Sequence, residues 1–308
     1  MPPQTWTPSA RIESLLSIYN MSRTGVSIPN GTIADPYLEY VFANPTQQNL
    51  LTRRKRWDRQ EILSCMETKY KSRPHLSFIG DSVTRTAYNL LMRRLQVVGE
   101  GENVLVKGSD WDKQVHRVLL EMENGGNASF SFTFMAEFWK SEARLKVHSL
   151  DAGALVVNSG LWETKRLSTG YDDPEVLKVY ATHLSQFAMN VQRLFPEEVT
   201  LVWRMTTPVY QDFLDGERKK FMTGFKVRAF NRLAEQILSA KDGFRGFQML
   251  DPQDTFLATK DWKNTVQEDA YHPLEYITEI LLDQMLDSVC GVGEMTWKDI
   301  QYLASLDD

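Results

Sequence analysis

A serine in a setting suited to acyl chemistry lies in Phe78–Arg85, FIGDSVTR, where a short apolar run gives way to a helix-like segment. A serine hydroxyl is a poor nucleophile unless a general base lies within hydrogen-bond reach. Aspartate and serine are also preferred at the N-cap of a helix. The octapeptide alone therefore leaves two interpretations open: Ser82 is a nucleophile, or Asp81 and Ser82 only cap the helix that follows.

A base for such a serine is found far along the chain, in the stretch EDAYHP at positions 268–273. Asp269 and His272 are three residues apart in a predicted turn, so the carboxylate can reach the imidazole Nδ1–H. That contact fixes the tautomer and leaves Nε2 to accept a proton from a serine. The alternative is that Asp269 caps the closing helix and His272 is a turn histidine without chemistry.

These residues need a scaffold, and the hydrophobic pattern predicts an alternation of strands and helices. Predicted strands lie at residues 76–80, 104–107, 129–139, 154–160, 199–208 and 247–251. Predicted helices lie at residues 86–96, 173–194, 217–241 and 273–289. In the segment 129–139, Phe130, Phe132 and Phe134 alternate with Ser and Thr, which is typical of a half-buried strand.

Strands that alternate with helices favour right-handed crossovers and a mostly parallel sheet covered on both faces. The sequence thus predicts the α/β class, with a single three-layer α/β/α domain at residues 61–308. Residues 1–60, whose first part is rich in Pro, Ser, Thr and Asn, are predicted to form a loop-rich N-terminal arm that packs on this domain. No internal repeat or low-complexity linker interrupts the chain.

Polar groups follow three of the predicted strands, at Asp81–Arg85, Asn158–Gly160 and Arg204–Thr207. In open parallel sheets, functional groups collect at the carboxyl ends of the strands. We therefore expect these groups to converge. Asp81 is expected to brace the turn before the helix by hydrogen bonds, and the Ser82 N–H and the Asn158 side chain are natural oxyanion donors.

Composition excludes several other classes of function. A net charge of −5 argues against general nucleic-acid binding. No apolar run reaches the roughly 18–20 residues that cross a bilayer, and the first 30 residues lack the features of a signal peptide. No metal-binding spacing is present. The two cysteines, Cys65 and Cys290, are either bridged or two buried thiols.

Two rival clusters are weaker. Ser159 lacks the glycine two residues earlier that a nucleophile elbow of the G-x-S-x-G type requires. His148 and Asp151 repeat the spacing of Asp269 and His272, but their neighbours indicate an ordinary turn. We therefore expect structural roles for His148 and Asp151.

Together the motifs are more specific than any one of them. Gly-Asp-Ser after the first strand and Asp-x-x-His-Pro before the last helix resemble the SGNH/GDSL hydrolase superfamily. FIGDSVTR, LVVNSGLW (155–162) and LVWRMTTP (201–208) resemble blocks of its PC-esterase branch. That branch contains trichome-birefringence-like polysaccharide O-acetyltransferases and the catalytic domain of sialic acid O-acetyltransferases. The resemblance covers about residues 60–290, in the same order.

The resemblance implies an SGNH-hydrolase domain of flavodoxin-like topology and a catalytic triad of Ser82, His272 and Asp269. The implied oxyanion hole contains the Ser82 N–H and Asn158, with Gly108 as the candidate for the glycine of the second block. No metal or bound cofactor is implied, and an acetyl donor such as acetyl-CoA would be a co-substrate.

Substrate-binding residues follow from the same blocks. Arg85 and Arg204 each either bind an anionic sugar or donor, or pair with a carboxylate, and Trp162 is the third candidate. The sequence departs from the plant enzymes at Ala270 and Tyr271, where they carry cysteine and tryptophan, and at the Gly160–Leu161 pair, where they carry Gly-His. These departures weaken a plant polysaccharide as the substrate more than they weaken the catalytic assignment.

The favoured function is O-acetyl transfer on a glycan through an acyl-enzyme on Ser82. The first alternative is an acetylesterase that acts on a carbohydrate or a small ester with the same triad, and the second is a non-catalytic glycan-binding protein. The resemblance favours the Golgi lumen or secretion, and the sequence leaves a cytoplasmic location open as the alternative. No membrane span is expected in this chain, because no apolar run is long enough, although the resemblance implies that a membrane module can accompany the domain, as in the sialic acid branch.

Overall fold

The computed structural model describes residues 57–97, 115–138, 142–167, 174–210, 218–239, 245–252 and 271–291, with positions 214, 216, 256, 266 and 267. Its strands are β1 (His75–Gly80), β2 (Val115–Glu121), β3 (Asn127–Phe134), β4 (Ala154–Val157), β5 (Thr200–Arg204) and β6 (Gln248–Leu250). Its helices are α1 (Arg59–Thr68), α2 (Ser82–Arg94), α3 (Glu142–Ser149), α4 (Leu161–Arg166), α5 (Pro174–Leu194), α6 (Arg218–Phe221), α7 (Gly224–Leu238) and α8 (Glu275–Cys290).

The strands form one six-stranded sheet in the order β2-β3-β1-β4-β5-β6. Every pairing is parallel except that of β2 with β3, which is antiparallel. The predicted mostly parallel sheet is therefore confirmed. Strand β2 was not predicted, because its polar residues and the 65% exposed Leu119 mask the pattern. The predicted strand at 104–107 lies outside the described residues.

Helices cover both faces of the sheet, which confirms the three-layer architecture. On one face, side chains such as Phe78 and Val156 pack against α1, α2 and α8. On the other face, side chains such as Leu155 and Trp203 pack against α3, α5 and α7. The central strands are apolar on both faces because both faces are buried. Among the described residues, no helix combines the length and the hydropathy needed to cross a membrane.

A disulfide links Cys65 in α1 to Cys290 at the end of α8, across 225 positions of sequence. Of the two alternatives left open by the sequence, the bridged one is observed. Trp57 lies beside this contact, and its indole N–H donates to the Asp287 carboxylate at 2.7 Å. The residues of the predicted arm before Trp57 lie outside the described part of the chain, so its packing stays a prediction.

The polar side of β3 differs from the half-buried strand that its alternation predicted. Ser129, Ser131 and Thr133 are buried, not solvated. The hydroxyls of Ser131 and Thr133 contact the buried rings of His75 and His148, so a polar network takes the place of solvent. The alternation identified the strand correctly, but burial of its polar face was not visible in the sequence.

This histidine network lies at the amino end of the sheet. His75 Nε2 is 2.7 Å from Ser131 Oγ, and His75 Nδ1 is 2.7 Å from Asp151 Oδ1. Arg117 also donates to the Asp151 carboxylate. His148 Nε2 is 2.7 Å from Thr133 Oγ1. His148 and Asp151 thus have the structural roles expected of them, although Asp151 pairs with His75 and not with His148.

Reduction of the disulfide should destabilise the fold, because the bridge removes loop-closure entropy from the unfolded chain. We expect the free energy of unfolding to fall by roughly 2–4 kcal/mol, measured by urea unfolding with and without reductant. Since the chain has two cysteines, reductant acts on this bond alone. The double variant Cys65→Ser/Cys290→Ser should match the reduced protein and be insensitive to reductant. Equal stability of the oxidised and reduced wild type would contradict a bridge.

Acidification should destabilise the histidine network. Burial lowers the pKa of His148 to about 3, below its ordinary value of 6.5, so the unfolded chain takes up a proton that the folded protein refuses. The stability that His148 contributes is therefore complete above pH 6.5 and is lost as pH falls below it. We expect the difference in unfolding free energy between wild type and His148→Gln to shrink by about 1 kcal/mol from about pH 7.5 to about pH 5.5. A difference independent of pH would contradict this account.

Candidate active site

The turn from β1 into α2 brings the first candidate residue to the carboxyl edge of the sheet. Ser82 is the first residue of α2, and Asp81 is its N-cap. The Asp81 carboxylate accepts hydrogen bonds from the N–H groups of Val83 at 2.9 Å and Thr84 at 3.4 Å. Asp81 therefore braces the helix start, as predicted, and the Ser82 hydroxyl is not needed for capping.

The Ser82 hydroxyl contacts His272 instead. Ser82 Oγ lies 2.6 Å from His272 Nε2, although the two residues are 190 positions apart. Both side chains are half-buried, so a small substrate can reach them. Such a pair has the geometry of a nucleophile and its general base.

The segment before α8 holds His272 in place. The Gln267 N–H donates to the His272 carbonyl at 2.8 Å, and Val266 and Pro273 form an antiparallel bridge. The ring of Tyr271 lies beside the imidazole, with 4.5 Å between the ring centroids. Asp269 and Gly108 both lie outside the described residues, so their assignments stay predictions.

Asn158 lies just after β4, and its side chain connects this strand end to α2 and to β5. Its amide Nδ2 donates to the Arg204 carbonyl at 2.8 Å, and its Oδ1 accepts a hydrogen bond from Thr84 Oγ1 at 3.4 Å. A primary amide has two N–H donors, and within the described residues the bond to Arg204 engages one of them. The side chain is 1% exposed, which places this group at the floor of the site.

Arg204 ends β5 beneath the site, not in it. Its guanidinium is 1% exposed and donates to Thr84 Oγ1 at 3.4 Å. Burial lowers the pKa of Arg204 to about 10, and the charge of Asp81 opposes that change. Its Nε and Nη1 have no hydrogen-bond partner among the described residues. Arg204 thus lies in the interior with the charge of Asp81 nearby, and its predicted contact with substrate stays a prediction.

The charges around Asp81 oppose one another. Burial raises the pKa of the Asp81 carboxyl, whereas Arg204, the two backbone donors and His272 lower it. The cation and the helix amides therefore offset part of the cost of burying this carboxylate. This arrangement keeps a fixed polar floor under Ser82.

Arg85 and Trp162 are the two other residues predicted to bind substrate, and these roles stay predictions. Arg85 lies one turn into α2 and is half-buried, and burial lowers the pKa of its guanidinium although Asp81 opposes that change. Trp162 in α4 is half-buried, with the Lys165 ammonium 5.8 Å from its ring centroid.

An apolar cluster lies between the two catalytic candidates and α7. It contains Val83, Leu161, Val209, Leu214, Met222 and Val227, with Tyr210 and Tyr271 at its edge. The Arg218 guanidinium lies 5.7 Å from the Tyr271 ring centroid. This apolar wall lowers the local dielectric, which strengthens the electrostatic interactions beside it.

Sequence reasoning missed Glu163, which is fully buried in the first turn of α4. Its carboxylate accepts hydrogen bonds from the Ser159 hydroxyl and from the Gly160 N–H at 2.7 Å. Ser159 is thereby engaged, consistent with its low rank as a nucleophile. A signal was present, because glutamate at the third position of a helix is typical of a capping box.

Within the described residues, no cluster of three or more histidine, cysteine or acidic side chains is arranged to hold a metal ion.

Substitution of Gly160 by alanine should distort the loop between β4 and α4. Gly160 has a φ of +134°, and a Cβ at this position would lie 2.2 Å from Thr206 Oγ1. We expect the free energy of unfolding to fall by about 1–3 kcal/mol, measured by urea unfolding. Gly216 has a positive φ of +35° and no atom within 4 Å of an added Cβ, so Gly216→Ala is the reference for a glycine without such a contact. Equal losses in the two variants would contradict the role of the contact with Thr206.

No known family model matches the chain, and no curated protein is similar to it. Several solved structures are similar to part of it. The α/β hydrolase LAE5 from the metagenome of Lake Arreo is 11% identical, with 71% of this chain and 96% of that chain covered and a TM-score of 0.43. The lipase Lip_vut3 from goat rumen metagenome is 15% identical, with 72% and 99% covered and a TM-score of 0.41. A catalytic variant of the acetylxylan esterase Axe2 from Geobacillus stearothermophilus is 17% identical, with 70% and 93% covered and a TM-score of 0.39. Similarity at this level carries no functional assignment.

Proposed function

We propose that this protein is a serine-dependent acyl-transfer enzyme that carries an acetyl group on Ser82 and passes it to a glycan hydroxyl. The observation that carries the proposal is the 2.6 Å contact between Ser82 Oγ and His272 Nε2 at the amino end of α2. The acetyl group and the glycan come from the motif resemblance described above.

In the first step, Ser82 Oγ attacks the carbonyl carbon of the acetyl donor. A new C–O bond forms, the O–H bond of Ser82 breaks, and its proton passes to His272 Nε2. The carbonyl oxygen becomes an oxyanion. The Ser82 N–H is a suitable donor to it, because the first amides of a helix lack partners within the helix and the helix dipole favours an anion. The second amide hydrogen of Asn158 is the other proposed donor.

In the second step, the bond between the carbonyl carbon and the leaving group breaks, and His272 returns the proton to that group. The acetyl group then remains on Ser82 as an ester. In the third step, an incoming hydroxyl attacks the carbonyl carbon of this ester while His272 takes the proton of that hydroxyl. The bond between the carbonyl carbon and Ser82 Oγ then breaks, and His272 returns the proton to Ser82 Oγ, which releases the acetylated product and restores Ser82. Asp269 is proposed to orient His272 through Nδ1–H. A sugar hydroxyl at this point gives a transferase.

A second candidate is an acetylesterase, in which water resolves the acyl-enzyme. The half-buried position of both Ser82 and His272 favours this candidate, because a partly exposed pair is accessible to water as well as to a sugar. The two functions share the first half of the reaction and differ only in the acceptor.

The proposal is tested by intact-mass spectrometry and p-nitrophenolate release with p-nitrophenyl acetate as donor. We expect an acetyl adduct on Ser82 in the wild type, and a loss of turnover of at least about 10³-fold in both Ser82→Ala and His272→Ala. Ser149→Ala is the matched control, because that hydroxyl donates to the Lys146 carbonyl at the end of α3.

Full turnover in Ser82→Ala would defeat the proposal. A wild type that retains acetylated xylan or sialylated glycans without hydrolysis or adduct formation would indicate a binding protein instead. Addition of the same sugars in deacetylated form then separates the two enzyme candidates. A transferase moves the acetyl group from p-nitrophenyl acetate to the sugar, whereas an esterase releases it as acetate.

A further inference from the structure

Glu163 is a buried carboxylate beside the proposed site that the acyl-transfer steps leave unused. Its Oε2 accepts the Gly160 N–H at 2.7 Å, and its Oε1 accepts the Phe138 N–H at 3.3 Å and the Ser159 hydroxyl. Burial of a carboxylate is costly unless several donors satisfy it. Two of the donors to Glu163, Ser159 and Gly160, directly follow Asn158, and the third, Phe138, lies in the segment after β3.

The loop Asn158–Gly160 is therefore held from more than one side. Glu163 binds it from α4, and Thr206 Oγ1 donates to the Ser159 carbonyl at 2.8 Å from the segment after β5. Asn158 is in turn bound to the Arg204 carbonyl. Among these contacts, Glu163 contributes a carboxylate, which binds both the Ser159 hydroxyl and the Gly160 N–H.

We propose that Glu163 is a positioning residue for acyl transfer, which fixes the Asn158–Gly160 loop so that the free amide hydrogen of Asn158 points to the oxyanion. The role rests on the proposed function of Ser82. Glu163 acts through Asn158 and touches neither substrate nor the reacting atoms. A carboxylate is suited to this task because its two oxygens accept all three donors at once, whereas a neutral side chain must lose one of these bonds.

The protonation state of Glu163 changes this arrangement near neutral pH. Burial raises its pKa to about 7, and the hydrogen bonds from Ser159 and Gly160 oppose that rise. The titratable groups that face it are Asp81, before α2, and Tyr180, in α5. The ionised form accepts from all three donors, whereas the protonated form must turn one oxygen into a donor toward the Ser159 hydroxyl. The loop is thus held most firmly above the pKa of Glu163.

The test measures kcat and KM for p-nitrophenyl acetate in Glu163→Ala and Glu163→Gln between about pH 5 and 9. We expect Glu163→Ala to lower kcat roughly 100-fold with KM changed less than about threefold, because misplacement of an oxyanion donor acts on the transition state. Glu163→Gln keeps an acceptor for the Gly160 N–H and should restore roughly tenfold of that loss. Its pH profile should lack one ionisation present in the wild type.

Glu175→Gln is the matched control, since Glu175 also lies in the first turn of a helix but is exposed and pairs with Lys178. Its kcat should equal that of the wild type. Circular dichroism and thermal unfolding verify that each variant is folded. If neither Glu163 variant folds, the Ser159→Ala variant tests the positioning role instead. Loss of the Ser159 hydrogen bond raises the pKa of Glu163, so the acidic limb of the kcat profile should move to higher pH.

The positioning role is wrong if folded Glu163→Ala keeps its kcat, if KM changes in place of kcat, if glutamine does no better than alanine, or if Ser159→Ala leaves the profile unmoved. These outcomes are distinct from failure of the proposed function. In that case the wild type forms no acetyl adduct on Ser82, whereas failure of the positioning role leaves the wild-type adduct intact.

Discussion

The buried carboxylate of Asp81 is the group on which the candidate site depends. It is 2% exposed, caps α2 through two backbone amides and faces the charge of the buried Arg204. Burial of a carboxylate is costly unless donors and opposite charges stabilise it. Thr84 connects Asp81 to the rest of the floor, since it binds Asp81 through its amide and Asn158 through its hydroxyl. The helix start that carries Ser82 is thus held by the groups that stabilise the Asp81 carboxylate.

The sequence predicted the parts of the fold whose pattern is local. Strands β1, β4 and β5 are continuous apolar runs buried on both faces, and α5, α7 and α8 are long enough to show helical periodicity. Strand β2 and helix α4 escaped prediction for different reasons. The strand lies at the edge of the sheet and mixes polar with exposed apolar residues, and the helix has six residues, too few to establish a period.

The site was predictable where its chemistry depends on residue type and was not where it depends on distant contacts. Ser82 and His272 were identified because the Gly-Asp-Ser and Asp-x-x-His-Pro motifs are specific in combination, and the structure brings the two side chains within 2.6 Å. The contact of Asn158 with the Arg204 carbonyl joins residues 46 positions apart, and nothing local encodes it. Burial of Arg204 was likewise invisible, because an arginine after a strand looks the same whether it faces solvent or the interior.

The two buried polar networks at the ends of β1 respond to pH in opposite directions. At the amino end, the lowered pKa of His148 means that the stability it contributes falls as pH drops below 6.5. At the carboxyl end, the raised pKa of Glu163 means that its burial becomes more costly as pH rises from 4.5 to about 7. Between about pH 4.5 and 6.5 the two contributions change with pH in opposite directions, so variants of each residue are needed to separate them. The histidine network at the amino end stays neutral and only stabilises the fold. The network at the carboxyl end contains charged groups and lies beside Ser82. Fixed charges and amides of this kind are already in place when an oxyanion forms, so they need not reorganise.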